Sequence, residues 1–255
     1  MRIQYASDLH LEFNANTLYL QENPLPVVGD ILVLAGDIML FEKNSLAQHP
    51  FFDWCADNFQ ETYIIPGNHE YYNGTELSDS LTDFEYFLRP NVRYLNNKNI
   101  VAGQTELFFT TLWCAIDIAQ LMPVQMGVSD CHRIMYGNRR FTSQDYEVVH
   151  QHCLTWLKES LNQSSAKCKV IITHHCPTDR FRDPRFIEST INSAFVVHMD
   201  DFIEQSFADY WIFGHTHYNG GSETLIGKTQ LVCNQLGYVH HGEHYSFKSN
   251  ACLEI

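Results

Sequence analysis

Residues of metal-ligating type stand where short apolar runs end. After Arg2–Ala6 come Asp8 and His10, and after Ile31-Leu32-Val33-Leu34 comes Gly36-Asp37. Residues 62–65 and Pro66 lead into Gly67-Asn68-His69-Glu70, and Val170-Ile171-Ile172-Thr173 into His174-His175. Trp211-Ile212-Phe213 leads into Gly214-His215-Thr216-His217. Apolar runs of this length read as buried strands, and ligands of open α/β sheets sit at the strands' C-terminal ends. Two Asp, one Asn and four His give oxygen and imidazole donors with no thiolate, a mixture suited to Mn²⁺, Fe or Zn²⁺ rather than Ca²⁺. Seven ligands exceed one tetrahedral ion but suit two ions sharing a carboxylate, roughly 3.5–4 Å apart, a spacing that serves phosphate chemistry. The Asp8/His10 and His215/His217 pairs are two apart, which an extended backbone aims to one side. Gly36, Gly67 and Gly214 permit sharp turns beside them. An isolated His is ordinarily a hydrogen-bonded core residue; the ordered set is what points to metal.

The elements that must position these residues alternate. Strands are expected at 2–6, 30–35, 62–65, 107–113, 169–173, 210–213 and 230–233, with an edge strand or two within 245–255. The clearest helix spans 142–161. Thr142 and Asp145 resemble a capping box, and Tyr146, Val149, Cys153, Trp156 or Leu157, and Leu161 recur at helical spacing. Residues 45–59 and 75–88 are weaker helix candidates. Residues 114–141 and 176–198 read as long irregular insertions, where substrates are often bound. The alternation implies an α/β fold with much parallel pairing.

Composition limits the function classes. The chain has 255 residues, 45% hydrophobic and 18% charged, which is a globular balance. There is no run long enough for a membrane helix and no signal-peptide pattern at the start, so a cytoplasmic protein without membrane association is expected. The eight cysteines are scattered and read as reduced thiols. With 30 acidic and 16 basic residues the net charge is −14. Such a surface repels polyanions at long range, and no basic stripe is visible, so no long nucleic acid is expected as a partner.

The ordered set Asp8-x-His10, Gly36-Asp37, Gly67-Asn68-His69-Glu70, His174 and Gly214-His215-x-His217 spans residues 1–240 and resembles the calcineurin-like metallophosphoesterase superfamily. Within it, Tyr71-Tyr72 and Asn234-x-x-Gly237-Tyr238 resemble a bacterial, largely uncharacterised phosphohydrolase subgroup. The resemblance implies a metallophosphoesterase-like sandwich of two central mixed β-sheets flanked by α-helices, as a single domain over residues 1–255. It implies two divalent metal ions per chain: Asp8, His10 and His217 hold the first, Asn68, His174 and His215 the second, and Asp37 bridges them. His174 rather than His175 is the expected ligand, because it directly follows the apolar run. The implied reaction is attack of a metal-bridging hydroxide on the phosphorus of a small phosphomono- or diester. In it Asp37, Asn68 and His69 are catalytic: Asn68 and the metals stabilise the equatorial charge, and His69, beside the site without ligating, donates a proton to the leaving oxygen or steadies the transition state.

Other residues have two readings each. His175, Tyr71 and Tyr72 either contact substrate or pack, and Trp113 reads as core. Arg133, Arg139 and Arg140 either clamp a phosphate or carboxylate or are solvated and ion-paired. The His240–His244 tract reads as a solvated turn, and Cys176 as a bystander. The competing functions are a metal-dependent nuclease and a non-catalytic binding scaffold of the same fold. Oligomeric state is left open.

Overall fold

In a computed structural model describing residues 1–220 and 224–255, the expected apolar runs are strands. The strands are β1 (Arg2–Ala6), β2 (Ile31–Leu34), β3 (Glu61–Ile64), β4 (Phe84–Arg89), β5 (Val92–Asn96), β6 (Lys98–Ala102) and β7 (Thr105–Thr110). They continue as β8 (Met135–Tyr136), β9 (Arg139–Arg140), β10 (Cys168–Thr173), β11 (Tyr210–Phe213), β12 (Thr224–Ile226), β13 (Thr229–Cys233) and β14 (Cys252–Glu254). Two six-stranded sheets result, ordered β14-β1-β2-β3-β5-β4 and β12-β13-β11-β10-β7-β6, with β8 and β9 as a separate hairpin. Each large sheet has four central parallel strands and an antiparallel strand at either edge. This is the sandwich of two mixed sheets flanked by helices.

Period-two alternation explains the unbroken apolar runs, because both faces of each sheet are covered. Ile31 and Val33 of β2 join Tyr63, Phe109, Val170, Ile172 and Ile212 in a core between the sheets. Leu32 and Leu34 face the other way and pack with Leu46, Phe52 and Cys55 of two helices, Lys43–Gln48 and Pro50–Asn58. On the second sheet Phe108, Ile171 and Trp211 pack with Tyr146, Val149, Cys153 and Leu157 of the helix Asp145–Gln163. Each large side chain so buried contributes about 1.5–3 kcal/mol, which supports strained backbone at the sheet ends. Just before that helix Asp145 accepts the Thr142 N–H at 2.8 Å, one half of the expected capping box; the other half is missing, because the Thr142 hydroxyl also donates to Asp145 and the N-cap residue is Gln144.

Both weaker helix expectations change. Residues 75–88 are not a helix but a 3₁₀ turn, Leu77–Ser80, followed by β4. In β4 Phe84, Tyr86 and Leu88 are half-buried while Glu85 and Phe87 are exposed, so two-residue alternation and pairing with β5 override helix propensity. The candidate at 45–59 is two helices, broken where Pro50 removes a donor and His49 Nδ1 accepts the Phe51 N–H at 3.3 Å. The expected edge strand within 245–255 is β14, beside β1.

The parallel order brings the ends of β1, β2, β3, β10 and β11 to one edge of the sandwich. Asp8 N–H donates to Gly36 O at 2.9 Å and His10 N–H to Asp37 O at 3.0 Å. Gly214 N–H donates to His174 O at 2.9 Å. A bridge between Ser7 and Gln235 ties the first sheet to the end of β13 in the second.

Candidate metal centre

Asp8 (φ 55°), His10 (φ 48°), Asp37 (φ 55°), His215 (φ 79°) and His217 (φ 51°) all have left-handed backbone. Non-glycine residues held there cost about 1–3 kcal/mol each and persist only where the surroundings impose the conformation. Of the three glycines, Gly36 (φ 89°) itself needs the left-handed region. Gly67 and Gly214 are required for closeness instead: a Cβ would lie 2.1 Å from Asp37 Oδ1 at Gly67 and 2.6 Å from Asp8 Oδ2 at Gly214.

The strained turns assemble two donor groups that share one carboxylate. Asp8, His10, Asp37 and His217 form the first; Asp37, His174 and His215 form the second. Asp37 Oδ2 is 3.8 Å from His10 Nε2, and Asp37 Oδ1 is 3.4 Å from His174 Nε2. Asn68 Oδ1 joins the second group, 3.1 Å from His174 Nε2.

The outward ring nitrogens determine what the inward ones can do. His174 Nδ1 donates to Ala35 O at 2.9 Å, and His215 Nε2 donates to Ala194 O at 3.1 Å. Burial pushes both imidazoles down, His174 to about 4 and His215 to about 3, so both are neutral near pH 7. His174 Nε2 and His215 Nδ1 therefore present lone pairs to each other at 3.1 Å, an arrangement that a cation between them would stabilise. In the first group His10 Nδ1 donates to Glu12 at 3.2 Å, and burial pushes His10 to about 4. Its Nε2 lone pair faces His217 Nε2 at 3.0 Å. Burial lowers His217, but hydrogen bonds to Asp8 and Glu243 outweigh it and hold His217 up at about 9. A proton on His217 thus balances the metal-free group. Burial and then the neighbouring charges of Glu70 and Asp8 push Asp37 well up, and two dications would reverse that. The donor set fits two divalent ions sharing Asp37.

A family profile for calcineurin-like phosphoesterases matches residues 1–219. The chain belongs to the calcineurin-like phosphoesterase family. Along its whole length it is 29% identical to an uncharacterized protein of Acanthamoeba polyphaga mimivirus, covering 97% of that protein. Among solved structures it is similar to a phosphopantetheinyl hydrolase from Mycobacterium tuberculosis, with TM-score 0.70 and 14% identity over 96% of this chain and 93% of that one. That likeness shows a shared fold.

Other residues of this chain support the centre and carry no signal in the sequence reading. Glu12 Oε1 accepts from His10 Nδ1 at 3.2 Å and from His69 Nδ1 at 3.1 Å. Glu243, inside the tract read as a solvated turn, accepts from His217 Nδ1 at 2.7 Å and from the Tyr238 N–H at 2.7 Å. Glu70 accepts the N–H groups of Asp37 at 3.1 Å, Ile38 at 2.9 Å and Gly67 at 2.7 Å, clamping two ligand loops together; burial pushes its carboxyl up to about 7. Asp130, in the first insertion, accepts Asn68 Nδ2 at 2.8 Å, Tyr72 OH at 2.5 Å and Tyr146 OH at 2.6 Å. It turns Asn68 so that Oδ1 faces His174.

His69 stands beside the first group, its ring centroid 4.5 Å from that of His10, with Nε2 3.0 Å from Tyr238 OH. Tyr72 lines the cavity over the centre and packs on His69 at 4.2 Å. His175 and Tyr71, expected against substrate, are fully buried. His175 donates from Nδ1 to Thr111 O at 3.3 Å and packs between the Trp113 and His215 rings, while the Tyr71 hydroxyl meets Ser80. Arg139 pairs with Asp145. Trp113 is core, and Cys176 is buried with its thiol pushed up by burial. Among the described residues, the imidazoles of His240, His241 and His244 belong to no ligand group, whereas His69 and Glu12 form a third with His10.

Proposed function

We propose that this protein is a two-metal phosphoesterase that hydrolyses a small phosphomono- or diester. The observation that carries the reading is Asp37, which turns one carboxylate oxygen toward each of two ligand groups. Two divalent ions bound there would supply Lewis acidity and an activated water for attack on phosphorus. Asn68, its amide N–H groups held by Asp130 and Tyr72, serves as a ligand through Oδ1. Because the Nδ1–H of His69 donates to Glu12, Nε2 is the atom left to exchange a proton with the leaving oxygen.

Manganese, iron and zinc all suit this donor set. A cavity of about 680 Å³ lies over the centre, within the roughly 300–1,000 Å³ typical of small-molecule sites. Seven of the nine arginines pair with carboxylates, which with a net charge of −14 leaves little to hold a polyanion. This favours a small substrate over a long nucleic acid. Among the described residues no helix is long and apolar enough to cross a membrane. The test is hydrolysis of 4-nitrophenyl phosphate and its diester by purified protein after chelation and after Mn²⁺ return. Activity lost and regained supports the reading, whereas full activity in metal-free protein contradicts it.

A further inference from the structure

The cavity wall carries three arginines whose electrostatic states differ. Arg182 is paired with Asp179 and Arg185 with Asp183, so each charge is offset. Arg133 is exposed and lines the same cavity as Asp37, Asn68 and His69. Among the described residues it has no carboxylate partner. Its guanidinium lies 5.5 Å from the centroid of the Tyr72 ring. That ring is held by the hydroxyl's bonds to Asp130 and Asn68, so Arg133 rests on a platform fixed relative to the metal ligands. The lining carboxylates Glu12, Asp130 and Glu243 are all engaged by His69, Asn68 or His217. Another part of the wall is apolar, formed by Val128, Phe186, Ile191 and Phe195, with Phe195 stacked on His215 at 5.2 Å and 22°.

From this we propose that the substrate carries a second anionic group, received by Arg133, besides the phosphoryl group at the metal centre, and a flat or apolar moiety that lies along the Phe186–Phe195 wall. The inference rests on the phosphoesterase reading and narrows its substrate class. A planar guanidinium without a carboxylate partner matches phosphate or carboxylate with two parallel hydrogen bonds. A charge-assisted bond of that kind is worth on the order of 10- to 100-fold in affinity.

The experiment uses the full chain loaded with Mn²⁺. Calorimetry gives Kd for the hydrolysis-resistant methylenephosphonate analogue of AMP and for α,β-methylene-ADP, which share a flat base and differ by one anionic group. Kinetics give kcat/KM for phenyl phosphate and 4-carboxyphenyl phosphate, the carboxylate counterpart. The wild type should prefer the two-anion member of at least one pair by on the order of 10-fold or more. Arg133→Ala should bring that preference close to unity, and Arg133→Lys should retain part of it. Arg2→Ala, which alters an exposed arginine outside the cavity lining, should keep the wild-type ratio. The pair that responds identifies the group as phosphate or carboxylate. Hydrolysis of phenyl phosphate with no Arg133-dependent preference in either pair overturns this inference alone. Hydrolysis of no phosphoester overturns the phosphoesterase reading and this inference with it.

Discussion

Replacing Asp130 by Asn separates the two halves of the centre. Asp130 touches no ligand imidazole, and its Oδ1 accepts Asn68 Nδ2 at 2.8 Å and Tyr72 OH at 2.5 Å while Oδ2 accepts Tyr146 OH at 2.6 Å. An amide keeps the shape but loses the charge and puts an NH₂ group on one side. If the NH₂ meets Asn68, two donors face each other and Asn68 must rotate, turning its own NH₂ toward His174. If it faces Tyr146, the bonds survive as neutral ones, falling from about 1.5–3 to about 0.5–1.5 kcal/mol each. Either route weakens Asn68 as a ligand, and changes of this kind typically cost 10–100-fold in metal affinity. The ion held by Asp8, His10 and His217 should keep its affinity. After dialysis at a metal concentration that saturates both wild-type sites only narrowly, elemental analysis should find two ions in the wild type and about one in Asp130→Asn, with the melting temperature followed in parallel. Retention of both ions at full affinity, or equal loss of both in a folded variant, would refute the assignment of Asp130 to Asn68.

Asp37→Asn should weaken both ions, because its two oxygens face different groups, whereas Asp8→Asn should weaken one; metal titrations of the two variants check this. The metal-free protein should lose stability as pH rises from about 6.5 through about 9. His217 is held up at about 9, so it binds more protons folded than unfolded in that window and its contribution is complete only below 6.5. Thermal melts in chelator across that range would show it, and a flat profile would contradict it. For the same reason metal binding at pH 7 should release a proton from His217, read by calorimetry in two buffers of different ionisation enthalpy. His69→Ala should slow hydrolysis of an alkyl phosphoester by on the order of 10²-fold or more and that of a nitrophenyl ester less, with metal content unchanged. Equal losses for both substrates would leave His69 as a positioning group.

The parts of this centre visible in the sequence are those whose chemistry and chain position coincide. Asp8, Asp37, Asn68, His174 and His215 each follow a strand with a largely buried end, and parallel pairing turns that shared position into proximity. The supporting carboxylates carry no such mark. Asp130 lies in an insertion without strand periodicity and is recognisable only once Tyr72 and Tyr146 converge on it. Glu12, two residues past His10, was within reach of the spacing logic applied to His10 itself, and Glu243 was obscured by the histidines around it. In the fold, β4 was misread because Leu81, Phe84 and Leu88 also satisfy helical spacing; pairing with β5, a tertiary fact, decides between the periods. His175 was the ambiguous member of an adjacent pair. Both lie in the bend after β10, where His174 turns to the metal ligands and His175 packs between the Trp113 and His215 rings.

The central claim is that two ions lie on either side of Asp37. Anomalous diffraction from a crystal of the Mn²⁺-loaded protein measures this directly. Two peaks should appear roughly 3.5–4 Å apart, one against Asp8, His10 and His217, the other against Asn68, His174 and His215, each in contact with a different oxygen of Asp37. A single peak, or two peaks with Asp37 bound to just one, would contradict the account.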